Sequence, residues 1–144
     1  AHQTGRSGAV DHVGDGAAEL LDPAALEEKL AAMRQELPDA YYLEFYRGRN
    51  LYDQGLSEAA LHCFETALTL EPQEEDEPYI CSYLGSCLRD LGRFEEAVPV
   101  LEQGLACDEE RPDLHNILGV CHYKADRFEQ AVHHFQRAVQ LNPA

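Results

Sequence analysis

Basic residues are scarce in this chain. Eleven lysines and arginines stand against 27 aspartates and glutamates, for a net charge of -16 over 144 residues. A surface of that sign repels phosphate backbones and anionic lipids, so neither nucleic acid nor an anionic membrane is expected as a partner. No run of about 18 apolar residues occurs, which excludes an expected membrane-spanning helix. The first residues also lack the apolar centre of a secretory signal, although a start at Ala1 leaves a removed leader open. The five cysteines (Cys63, Cys81, Cys87, Cys107 and Cys121) are odd in number and form no CxxC pair. That argues against a disulfide framework, and points instead to small apolar fillers at helix interfaces and a reducing, cytoplasmic compartment. No Gly-rich phosphate loop appears, and no Cys–His pair is marked as nucleophile and base. Catalysis and a bound cofactor are therefore not expected.

The length suffices for one domain with its own core. Residues 1–18 are rich in Gly, Ser, His and Asp without apolar periodicity, and read as a flexible lead. Within 19–40, Asp22 precedes Pro23 as a helix N-cap precedes a first-turn proline. Leu26, Leu30, Met33 and Leu37 then fall on one helical face, until Pro38 stops the run. One helix over 23–37 is expected, packed against whatever follows.

From Tyr41 onward the chain repeats itself. The segment from Pro78 aligns with that from Pro112 at a spacing of 34 residues: Leu84-Gly85 on Leu118-Gly119, Phe94 on Phe128, Ala97 on Ala131, Leu101 on Phe135. The segment from Tyr41 carries Gly48, Ala60, Phe64, Ala67 and Pro72 in the same register, followed by the three extra residues Glu75-Asp76-Glu77. A fixed period of this kind marks a repeat array. The three copies span 41–74, 78–111 and 112–144. Each predicts two helices: 41–54 with 57–70, 78–91 with 94–107, and 112–125 with 128–141. Gly55, Gly92 and Asp126 fall in the intervening turns. Gly48, Gly85 and Gly119 lie inside helices, where glycine costs about 1 kcal/mol relative to alanine, so close helix approach is expected there.

A small residue at the eighth position, alanine at the twentieth, a large apolar residue at the twenty-fourth and proline at the thirty-second resemble the tetratricopeptide repeat. Gly48, Ala60, Phe64 and Pro72 supply them in the first copy, and Gly119, Ala131, Phe135 and Pro143 in the last, with Ala138 at the small twenty-seventh position. The resemblance covers 41–144 and implies an all-α fold: an α-solenoid of three helical hairpins preceded by one N-terminal helix. Repeat two departs from the pattern. It has Gly104 for alanine, Glu109 for proline, and Pro99 inside its second helix. A proline there removes a hydrogen bond to the carbonyl of Glu95, so helix 94–107 is expected to kink or start late and to be the least protected of the array.

The resemblance also implies a non-enzymatic protein-binding module with a concave groove lined by the first helices. Groove positions of the family fall on Tyr42, Phe45, Arg49, Tyr52 and Asp53; on Tyr79, Ser82, Ser86, Arg89 and Asp90; and on Asp113, Asn116, Val120, Tyr123 and Lys124. The expected peptide contacts are Tyr42, Phe45, Arg49, Tyr52, Tyr79, Arg89, Asn116, Tyr123 and Lys124. Aromatics and arginine are the common anchors of interfaces, although Tyr42 and Tyr52 also suit packing within the array. The groove is near neutral, whereas the repeats carry 8 basic and 19 acidic residues, so the acidic face is the convex one. A peptide with apolar or aromatic anchors and a nearby acidic group would suit it. Family members that grip a chaperone's C-terminal carboxylate use lysine, arginine and asparagine at positions that are here Phe45, Arg49, Tyr83, Asp113 and Ile117. Only Arg49 carries a positive charge, so a carboxylate clamp is not expected.

Other clusters read as structural. His115 and His122 occupy core-packing positions of the repeat, and no zinc-type ligand spacing accompanies them. His133-His134 reads as surface, and Glu74-Glu75-Asp76-Glu77 as a solvated loop. No helix follows 128–141 to cover its apolar face, which suggests either an excerpt of a longer protein or a homo-oligomer formed through that face. Three repeats behind one helix are also similar in architecture to chaperones of bacterial type III translocators.

Overall fold

The computed structural model describes residues 21–36 and 39–142, apart from the side chains of 34–36. Leu37, Pro38, Pro143 and the lead over 1–18 lie outside the described residues. Among the described residues there are seven helices and no strand: α1 (Pro23–Glu36), α2 (Tyr41–Asp53), α3 (Ser57–Thr69), α4 (Glu77–Asp90), α5 (Phe94–Cys107), α6 (Pro112–Lys124) and α7 (Phe128–Leu141). The chain divides into two compact units, the first ending at Asp76 and the second starting at Glu77.

In the first unit, Asp22 caps α1 by accepting from the amide of Ala25 at 2.8 Å. The helix lies against α2: Leu30 is buried, and Arg47 reaches the Glu27 carboxylate at 3.1 Å and Glu44 at 2.9 Å. The α2–α3 hairpin encloses a core of Tyr41, Tyr42, Phe45, Leu61, Phe64 and Ala67. Gly48 makes that closeness possible, since a Cβ built there would stand 2.9 Å from both the Cβ of Cys63 and the ring of Phe64.

The second unit holds two hairpins, α4–α5 and α6–α7, with Leu84, Leu88, Leu101, Leu114 and Leu118 buried among them. All three hairpin turns close the same way. The amides of Leu56, Arg93 and Arg127 each bond the carbonyl five residues back, at 3.0, 2.8 and 2.8 Å. The residue before each has positive φ: Gly55 at 80°, Gly92 at 75° and Asp126 at 62°. This is the left-handed cap that ends a helix by satisfying its last carbonyls.

Two expectations change. Helix α5 begins at Phe94 and runs unbroken to Cys107, so it does not start late. Pro99 and Glu95 are both exposed, which lets water take the carbonyl that proline leaves open. The acidic run after Pro72 is not wholly solvated either. Asp76 is fully buried and accepts from the hydroxyls of Tyr41 at 2.8 Å and Tyr42 at 3.1 Å. Two phenols on one carboxylate make that burial affordable in a way that solvent alone could not.

Candidate peptide-binding surface

The nine expected contact residues divide between the units. In the first unit Tyr42 and Phe45 are buried in the core, with exposures of 0% and 1%, and present no side-chain surface to a ligand. The cause is local. Tyr42 stacks on Tyr41 at 4.6 Å and spends its hydroxyl on Asp76, while Phe45 packs on Phe64 at 5.9 Å. Burial and the neighbouring Asp76 charge raise the ionisation of both Tyr41 and Tyr42, so both phenols stay neutral donors. Arg49 is also buried, with its guanidinium 4.0 Å from the Asp53 carboxylate one turn on. Tyr52 is half-buried.

The second unit keeps its five expected contact residues at least partly exposed, although the groove position Ser86 is buried. On α4, Tyr79, Ser82, Ser86 and Arg89 are spaced by three or four residues and share one face; on α6, Asp113, Asn116, Val120 and Tyr123 do the same, with Lys124 next to Tyr123 at the edge of that face. The two faces adjoin, because the Ser82 hydroxyl donates to Asp113 at 3.0 Å across the helices. Asn116 and Lys124 are exposed, Tyr123 is 54% exposed, and Tyr79 and Arg89 are half-buried. Arg89 pairs with Asp90 at 3.1 Å. Lys124 has no ion pair among the described residues.

Sequence reasoning missed Arg111. Its guanidinium lies 4.3 Å over the ring of Tyr79 and holds Asp113 at 2.8 Å, so it fixes two members of the surface at once. It sits in the loop before α6, outside the helical register used to find groove residues. The histidines also differ from expectation. His115 and His122 are buried as expected. His134, expected at the surface, turns inward to place its Nδ1 3.1 Å from that of His115, while His133 remains exposed.

The cysteines are all free, and four of the five are buried. Burial pushes the thiol of Cys81 up to about 12 and that of Cys121 up to about 11, so neither is a thiolate at neutral pH. Among the described residues, no group of three or more His, Cys, Asp or Glu side chains is placed to hold a metal ion. Also among them, no helix is long and apolar enough to cross a membrane.

Paired helices with a shared turn and glycine-mediated contact define a helical-hairpin repeat protein. Two family models, each described as tetratricopeptide repeat, match residues 45–112 and 112–144. The chain belongs to the tetratricopeptide repeat family. Among solved structures it is similar to the first TPR domain of the human RPAP3 protein, with 18% identity, a TM-score of 0.67, and 74% of this chain and 82% of that one covered. The first TPR of Spaghetti (RPAP3), bound to the HSP90 peptide SRMEEVD, matches at 17% identity and a TM-score of 0.67, covering 72% and 79%. MamA matches at 16% identity and a TM-score of 0.69, and the match spans 79% of this chain and 65% of MamA. At these identities the likeness establishes the all-α repeat fold.

Proposed function

We propose that the protein is a peptide-binding module, and that its ligand lies along the adjoining faces of α4 and α6 in the second unit. The observation that supports this reading is the Ser82–Asp113 bond, which joins the α4 face carrying Tyr79 and Arg89 to the α6 face carrying Asn116 and Tyr123, with Lys124 beside it. The peptide held by the first TPR of Spaghetti supports binding as a use of this fold. The chemistry favours a different ligand from a bare C-terminal carboxylate, because Asp113 puts a negative charge at one of the clamp positions. A segment with an aromatic or apolar anchor for Tyr123 and an acidic side chain for Lys124 fits the surface as it stands.

The test is selection from a displayed peptide library on the full chain, with affinities of the selected peptides measured against a Tyr123→Ala, Lys124→Glu variant. Loss of an exposed aromatic anchor and reversal of one charge should weaken selected peptides by about tenfold or more, with unfolding unchanged. Selected peptides that bind wild type and variant equally would remove the site from this surface.

A second reading is self-association through α7. Phe128, Val132 and Val139 on that helix are 55%, 52% and 63% exposed. Large exposed apolar side chains gathered on one face mark interaction surfaces. Sedimentation from micromolar to millimolar protein separates the readings: a monomer throughout removes the second and leaves the first intact.

A further inference from the structure

Four imidazoles gather on the third hairpin, His115 and His122 from α6 and His133 and His134 from α7. His134 is their centre. Its Nδ1 lies 3.1 Å from Nδ1 of His115, its ring stacks on His122 at 5.5 Å and 7°, and His133 stands edge-on at 5.2 Å. The surrounding hydrogen bonds fix the tautomers. The Glu109 carbonyl can only accept, so the Nε2 of His115, 3.0 Å away, carries a proton. Neutral His115 therefore offers a lone pair at Nδ1, and His134 donates its Nδ1–H to it. His122 accepts at Nδ1 from the Nε–H of Arg127 at 2.9 Å, which leaves its own proton on Nε2.

With these tautomers the network is built of neutral imidazoles. A proton added to Nδ1 of His115 forces His134 to move its own proton to Nε2, and a second proton on the pair sets two N–H donors against each other across the contact. One added to Nδ1 of His122 opposes the Arg127 donor in the same way. Of the other charges facing the cluster, Glu102 and Glu95 favour a proton on His122 but are outweighed by burial and Arg127. Arg137 approaches from one turn along α7, and Arg127 is already bonded to Glu95 at 2.6 Å. Glu102 of α5 and Glu109 of the following loop line the adjoining cavity of about 450 Å³, with Leu105 and Ala106, and make no ion pair with His134 among the described residues. That cavity is open, so protons reach the cluster from water.

We propose that the imidazole cluster is a proton-operated clasp, which holds α6 to α7 when neutral and loosens the third hairpin in mildly acidic surroundings. Burial, followed by the charges that His115, His122 and His133 would carry, lowers His134 from 6.5 to about 4, and burial and Arg127 lower His122. The sign follows from linkage. The unfolded chain takes up these protons first, so the stabilisation is complete above pH 6.5 and is lost progressively as pH falls from 6.5 toward about 4.

The test uses the full chain, with imidazole NMR titration and amide hydrogen exchange corrected for intrinsic rates. At pH 7.5 the expected tautomers are Nε2–H for His115 and Nδ1–H for His134, with His134 titrating below about pH 5. Exchange across α6 and α7 should accelerate about threefold or more between pH 7 and pH 5, while α2 and α3 change less; full depression of one imidazole would give about tenfold per pH unit, reduced here by partial exposure. His134→Gln keeps a donor for His115 without titrating, and should remove most of that acceleration. A His134 resonance titrating near 6.5, or the same pH dependence in wild type and H134Q, overturns the clasp. If H134Q does not fold, the wild-type titration decides alone.

Discussion

The carboxylate of Asp76 receives two phenolic hydroxyls in the core of the first unit, and neither Tyr41 nor Tyr42 is exposed. Asp76→Ala takes away the acceptor that both hydroxyls use. Leaving buried donors without that acceptor costs about 1–3 kcal/mol, and urea denaturation should show a midpoint shift of that size with an unchanged slope. Asp76→Asn retains an acceptor oxygen and should recover part of the loss. A wild-type midpoint for Asp76→Ala would show that water replaces the carboxylate at no cost. Sequence could not reveal this role. In the linear chain Asp76 is one acid in a run of four, and its phenolic partners lie 35 and 34 residues away. The same blindness affected Phe45, whereas for Tyr42 the sequence left ligand contact and core packing both open. The repeat register correctly put them on a first helix, but register does not say whether a neighbouring side chain will cover them.

At the scale of the element, the departures of repeat two have different physical origins. Gly104 stands where the family places alanine, and a Cβ there would meet the Cβ of Cys81 at 2.9 Å and Leu114 Cδ1 at 3.0 Å. A backbone-anchored Cβ has little room to move, so glycine is required by the approach of α4, α5 and α6. That approach is tertiary and was not legible from the pattern. Helix and turn positions were legible, because they rest on local periodicity and on Gly55 and Gly92 at positive φ. Pro99 is the opposite case: it is exposed and withdraws a donor from α5. Pro99→Ala should raise stability by about 1–3 kcal/mol, the scale set by proline's cost in a helix interior. In the wild type, amide exchange should be faster in α5 than in α4 or α6. Protection of α5 equal to its neighbours, together with no gain from Pro99→Ala, would mean the helix has fully absorbed the proline.

Over the whole molecule, charge was legible from composition alone, but its distribution was not. Six arginines are already committed to carboxylates: Arg47, Arg49, Arg89, Arg93, Arg111 and Arg127. These pairs neutralise local charge without touching the excess of acid that makes the net charge -16. Two salt effects therefore oppose each other. Screening weakens the exposed pairs, each contributing about 0–1 kcal/mol at most. It also weakens repulsion among all the unpaired carboxylates, which acts over longer distances and is cut more strongly as the Debye length falls from about 30 Å at 0.01 M to about 8 Å at 0.15 M. Repulsion has more members and greater range, so it should dominate. Raising sodium chloride from 0.01 to 0.15 M at pH 7.5 should increase Tm by several degrees, at about 4 °C per kcal/mol for a chain of this size. A Tm that falls with salt would mean that the six arginine pairs contribute more than the repulsion they sit within. Arg127→Gln and Arg93→Gln would then be the substitutions to lose that salt sensitivity.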